Sequence, residues 1–199
     1  MGNLRSVQKA LERVGSEGFI TGDPEAAGEA AGMILPGVGA FPRAMRSVRE
    51  AGLDALVADR IEAGVPVLGI CLGLQLLFES STERGGAAGI GVLPGAVTGL
   101  EAPGLKVPHM GWEPVRWEGE SELVTGLETG TPFYFVHSFA PIPTQSDLLG
   151  SAVYGARFAC AAEYDNIFGV QFHPEKSSAA GLRLLSNFAG ICVRAPTPA

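Results

Sequence analysis

The sequence predicts an α/β chain: a mostly parallel central sheet flanked by helices, with an antiparallel-rich second half. Three observations predict it. Helix-like and strand-like stretches alternate through the first eighty or so positions, the pattern of a parallel sheet covered on both faces. From Gly91 the texture changes to short β-like pieces with turns between them. A last stretch returns to helical periodicity. At 199 residues, 46% of them hydrophobic, the chain can form one domain spanning residues 1–199 around a real core.

The elements follow in order. Asn3 can cap a helix in which Leu4, Val7, Leu11 and Val14 share a face, and Gly15 can stop it. Gly18–Thr21 reads as a strand and Pro24–Ala31 as a short helix. Met33–Leu35 is a buried strand running into Pro36-Gly37-Val38-Gly39. Pro42–Ala63 is helical with a break near Gly52. Val65–Ile70 is the next strand and Leu72–Ser81 the helix behind it. The later pieces are Ala96–Leu100, Glu113–Trp117, Phe133–Phe139, Leu148–Tyr154, Phe158–Glu163 and Ile167–Phe172, then a helix over Ala179–Ile191. The APTPA tail reads as frayed. No internal repeat or linker interrupts this order.

Composition excludes several classes. Net charge is -7, against the basic face of a nucleic-acid binder. Charged residues are 18%, too few for a disordered chain. Cysteines stand at 71, 160 and 192. That odd count, with no metal spacing, argues against a disulfide framework or a zinc site and fits a reducing cytoplasm. No stretch approaches ~18 unbroken apolar residues, so no membrane span is expected. The start, MGNLRSVQKALERVG, carries no apolar signal core.

Gly69-Ile70-Cys71-Leu72-Gly73 has the small-x-nucleophile-x-small form of a strand-to-helix elbow. Glycines on both sides let the backbone turn sharply and expose the nucleophile, and the helix N-terminus favours thiolate. A buried structural cysteine fits the same apolar flanks, and spacing alone leaves both readings open. A thiolate needs a base, and the base needs an orienter. Of His109, His137 and His173, only His173 ends a buried strand, in GVQFHPE. In extended backbone His173 and Glu175 project to the same side, so the carboxylate can hold the imidazole tautomer. Cysteine, histidine and carboxylate together favour a catalytic set.

GICLGLQLLFES and QFHPEKS resemble the two signatures of the class I, triad-type glutamine amidotransferases. MGNLRSV, LPGVGAF, PHMGW and YFVHSF narrow the resemblance to the glutaminase subunits of imidazole glycerol phosphate synthase, over nearly the whole chain. The resemblance implies the amidotransferase fold and a mechanism. Cys71 attacks the side-chain amide of glutamine, His173 accepts the thiol proton and later protonates departing ammonia, and Glu175 orients His173. A γ-glutamyl thioester forms and water releases glutamate. The oxyanion takes backbone donors at Leu72 and at Val38, in a glycine-flanked loop whose peptide can flip. Such a loop also reads as an ordinary turn. Gln75, Glu83, Ser138 and Phe139 would bind the substrate, although a solvated surface suits Glu83 as well.

The resemblance also implies a partner. The ammonia passes to a cyclase subunit with a (β/α)8 barrel in a heterodimer of histidine biosynthesis, yielding imidazole glycerol phosphate and an aminoimidazole ribotide. Asn3, Pro108, His109, Met110, Trp112 and Lys176 look like the partner-facing set. Core packing of Met110 and Trp112 and a plain surface role for Lys176 remain open. No cofactor is implied.

One feature departs from the family. Its members carry an apolar strand ahead of MGN, and by analogy that strand is central to the sheet. A mis-set start codon, or a true truncation with weakened catalysis, is the expectation. Its neighbours in the sheet would then lack pairing on one side. Two rivals are a pyridoxal phosphate synthase glutaminase, which PHMGW and HPEKS argue against, and an inactive subunit that only stabilises its partner.

Overall fold

The computed structural model describes residues 4–195. The expectations for Asn3, as helix cap and partner residue, and for most of the APTPA tail lie outside the described residues.

Helix α1 (Leu4–Arg13) opens the described chain and Gly15 ends it at φ 81°. Then come α2 (Pro24–Gly28), β1 (Met33–Gly37), α3 (Phe41–Glu50) and α4 (Leu53–Glu62). Gly52, at φ 66°, makes the break between α3 and α4. β2 (Val67–Cys71) leads directly into α5 (Leu72–Leu77). The β-rich part contains β3 (Phe78–Ser81), β4 (Ala87–Ala88), β5 (Leu93–Gly99), β6 (His109–Pro114) and β7 (Arg116–Trp117). It continues through β8 (Pro132–His137), β9 (Phe139–Pro143), β10 (Leu148–Tyr154), β11 (Ala156–Tyr164) and β12 (Ile167–Val170). The 17-residue α6 (Ser178–Arg194) closes it.

The central sheet has the order β1-β2-β12-β11-β10-β7. β1, β2 and β12 are parallel neighbours, and the remaining pairings are antiparallel. The second sheet is β4-β3-β5-β9, and β6 pairs with β8 as a separate ribbon. Both faces of the central sheet are covered. Leu68, Ile70, Phe168 and Val170 pack into one core with α1 and α6, while Val67 and Ile167 pack into another with α3, α4 and α5. Every residue of β2 and β12 is therefore buried, which explains why neither reads as an alternating strand.

Four segments differ from expectation. Residues 18–21 form no strand, and Phe19 stands 61% exposed with no ladder partner among the described residues. β1 accordingly sits at an edge of the sheet. The helix expected through Ser81 stops at Leu77, because Phe78–Ser81 pairs with β5, a long-range contact that local periodicity does not encode. The single strands expected over 113–117 and 133–139 each divide in two.

Glycines seat α5 on the sheet. Gly69 and Gly169 are register partners in β2 and β12. A Cβ on Gly69 would lie 2.6 Å from the Leu74 backbone, and one on Gly169 would lie 2.0 Å from Leu74 Cδ1. On the helix side, a Gly73 Cβ would come 1.7 Å from the Leu35 carbonyl oxygen. Close approach, rather than an unusual backbone conformation, is what these positions require. The positive φ of the elbow falls instead on Cys71, at 56° with ψ -112°.

Candidate active site

Cys71 ends β2 and precedes the first turn of α5, in a conformation rare for a side chain with a Cβ. The strand behind it and the glycine-seated helix ahead hold it there. Its Sγ lies 3.7 Å from the Val136 carbonyl oxygen and 3.6 Å from Gln171 Nε2. The sulfur faces a pocket of ≈ 280 Å³ that Val38, Leu72, Gln75, Glu83, Ser138, Phe139, Pro108, His173 and Lys176 also line. Chain segments far apart in sequence thus meet in one place.

His173 follows β12, and Pro174–Lys176 makes a short 3-10 turn after it. The His173 backbone N–H donates to the Tyr134 carbonyl at 2.9 Å. Ser177 Oγ donates to the His173 carbonyl at 2.7 Å and accepts from the Tyr134 N–H at 3.0 Å. Ser177, not anticipated from sequence, ties this turn to β8. His173 Nδ1 lies 2.9 Å from Glu175 Oε1, and both side chains are shielded from water. That leaves Nε2 for the cysteine. Burial alone would lower the His173 pKa, but the hydrogen bonds and charges of Cys71 and Glu175 outweigh it and raise the group to about 9.

Gln75 Nε2 donates to the Phe139 carbonyl at 3.0 Å and to Gln171 Oε1 at 2.9 Å. Glu83 lines the pocket, and its Oε2 accepts from the Phe41 N–H at 2.7 Å. It thus serves the N-terminus of α3, where Ala40 has no side chain able to cap. Val38 is exposed beside Gly39, which has φ 102°.

The residues grouped as partner-facing divide. Met110 and Trp112 are 59% and 48% exposed on one face of β6. His109 alternates to the opposite face and is fully buried, so its side chain is not on the surface the resemblance assigned it to. It stacks on Tyr154 at 4.0 Å between centroids. Trp112 meets the Tyr134 ring edge-on at 5.8 Å, and Lys176 Nζ lies 5.9 Å from the same ring.

His109 instead joins a buried pair. Its Nδ1 is 3.1 Å from His137 Nε2, and His137 Nδ1 is 2.9 Å from the Phe139 carbonyl. The carbonyl can only accept, so His137 carries its proton on Nδ1 and Nε2 accepts from His109. Burial chiefly holds the His137 pKa down, to about 4, with the Phe139 carbonyl opposing it. Burial also lowers His109, with Glu113 opposing. His137 is therefore neutral at pH 7 and helps fix the pocket wall at Phe139.

No group of three or more His, Cys, Asp or Glu side chains among the described residues could hold a metal ion. None of the described helices is long and apolar enough to cross a membrane.

Residues 14–191 match the model of the family described as glutamine amidotransferase class-I. The imidazole glycerol phosphate synthase subunit HisH of Moorella thermoacetica is 52% identical over 189 residues, covering 94% of this chain and 90% of that protein. The protein of the same name from Aquifex aeolicus is 49% identical over 190 residues, covering 94% and 91%. Among solved structures, a glutamine amidotransferase superposes with TM-score 0.73 at 24% identity, covering 95% of each chain. PurLQS of Thermotoga maritima gives 0.67 at 19%, covering 94% of this chain and 92% of that one. At such identities these two likenesses bear on the fold alone.

Proposed function

The chain belongs to the class-I glutamine amidotransferases and, within them, to the HisH family of imidazole glycerol phosphate synthase subunits, and from that premise we propose that it hydrolyses glutamine through Cys71, His173 and Glu175 and hands the ammonia to a cyclase subunit. In the reactive form the one proton shared by Cys71 and His173 rests on His173 Nε2, and the electron pair left on sulfur attacks the amide carbon of glutamine. The resulting oxyanion is received by the backbone N–H groups of Leu72 and Val38. As the C–N bond breaks, His173 returns its proton to the leaving nitrogen, and ammonia departs. Water then adds to the γ-glutamyl thioester, with His173 as base, and releases glutamate. Glu175 holds the imidazole in the tautomer this sequence needs.

Gln75, Glu83 and the Ser138-Phe139 backbone are the proposed substrate-holding groups. Ammonia released into water would be protonated and lose its nucleophilicity, so a sealed route to a (β/α)8-barrel cyclase is the proposed use of the rim. Pro108, Met110, Trp112 and Lys176 are the partner-facing residues in this reading. The cyclase uses the ammonia to make imidazole glycerol phosphate and aminoimidazole carboxamide ribotide for histidine synthesis. The unbonded thiols of Cys71, Cys160 and Cys192 suit a reducing cytoplasm.

One observation carries this reading: the Cys71 sulfur and the Glu175-bound His173 share a single pocket wall. Glutamate release from glutamine, measured with and without the cyclase and its ligand, tests it. Release that rises on adding both is the expected result. No release under any condition contradicts it.

A further inference from the structure

We propose that Gln171 is a further catalytic residue, whose side-chain N–H holds the Cys71 sulfur in line and stabilises it once its proton has left. The inference rests on Cys71 being the nucleophile. Gln171 is fully buried, and a buried amide without partners would be costly. Its backbone N–H donates to the Cys160 carbonyl at 2.8 Å, which fixes where the side chain begins. Its Nε2 ends 3.6 Å from Cys71 Sγ.

The orientation of the amide follows from its neighbours. The Phe139 carbonyl only accepts, so the Gln75 group facing it at 3.0 Å must be the nitrogen. The same nitrogen donates its second proton to Gln171 Oε1 at 2.9 Å. Flipping Gln171 would set two NH2 groups against each other. The chain from Phe139 through Gln75 therefore leaves only an N–H to point at the sulfur.

The sulfur needs that donor. While protonated, Cys71 can give its proton to the Val136 carbonyl at 3.7 Å. Once the proton moves to His173 Nε2, the electron pair stays on sulfur and the Val136 oxygen faces it as a like partial charge. Gln171 Nε2 is the neutral donor positioned to offset this. Hydrogen bonds to ionised groups are stronger than neutral ones, so the contact tightens as the thiolate forms.

Gln171→Met keeps the length of the side chain and removes the donor. Iodoacetamide alkylation of Cys71 in the full chain, followed against pH, is the first readout. Glutaminase kinetics of the same variant with the cyclase present is the second. The expected result is alkylation about tenfold slower near neutral pH, a profile displaced to higher pH, and a lower kcat. A folded variant with wild-type alkylation rate and profile overturns the proposal. Should the variant not fold, wild-type protein labelled with 15N-glutamine supplies the answer. The Gln171 side-chain amide proton must shift when Cys71 is alkylated, and an unmoved resonance overturns the proposal. Turnover surviving in Cys71→Ala would instead contradict the glutaminase mechanism, whatever the Gln171 contact shows.

Discussion

Glu175 Oε1 sits 2.9 Å from His173 Nδ1 within a turn that Ser177 pins to β8, so the imidazole's second nitrogen has one direction left to face. Against the opposing effect of burial, the hydrogen bonds and charges of Cys71 and Glu175 raise the His173 pKa to about 9, from 6.5. Between those values the folded chain holds a proton that the unfolded chain releases. The stabilisation is complete below about pH 6.5 and is lost as pH rises through about 9. Thermal unfolding across that window should show falling stability, and Glu175→Gln should flatten the fall. An unchanged slope in the variant would show that the carboxylate does not hold the proton.

The buried His109–His137 pair acts in the opposite sense. His137, held down to about 4, stays neutral while the unfolded chain binds a proton below about 6.5. Its contribution to stability is present above 6.5 and is lost as pH falls towards 4. His137→Gln can still donate to Phe139 and accept from His109, but it does not titrate. The variant should lose less stability on acidification than wild type, as followed by circular dichroism.

Glu83 has a structural duty that can be separated from any part in binding. Glu83→Ala removes the acceptor for the Phe41 N–H and should cost about 1 kcal/mol by denaturant unfolding. Glu83→Gln keeps an acceptor oxygen and should cost less. If the negative charge meets the substrate's amino group, Glu83→Gln raises KM for glutamine while stability is nearly kept.

The seating of α5 tolerates no added atom. Gly73→Ala puts a methyl group 1.7 Å from the Leu35 carbonyl and should destabilise by about 3 kcal/mol or more. Gly119→Ala, with nothing within 4 Å of its new Cβ, should change stability by less than about 0.5 kcal/mol. Equal unfolding midpoints for the two variants would refute the close-packing account of the elbow.

What the sequence made legible was local. The amphipathic α1, the Gly52 break, the bounds of β10 and the elbow around Cys71 each follow from residues near in the chain. His173 and Glu175 were readable as a pair from their spacing, but a 3-10 turn over Pro174–Lys176, and not the extended backbone expected, brings them together. What it left hidden depends on distant contacts. The edge position of β1, the division at Leu77 and the pairing of Gly69 with Gly169 come from strand register. Gln171 and Ser177 are the two ends of QFHPEKS and carry no role that the sequence assigns; only the folded chain brings one to the sulfur and the other to Tyr134. The resemblance groups His109 with Met110 and Trp112, whereas strand alternation turns its side chain inward and theirs outward.

The most direct test is to stop the reaction of the chain, its cyclase and glutamine with acid during turnover, and to map any adduct by peptide mass spectrometry. The account predicts a γ-glutamyl group on the peptide containing Cys71, absent from Cys71→Ala. Glutamate release at the wild-type rate from Cys71→Ala, or an acyl group on a different residue, would contradict it.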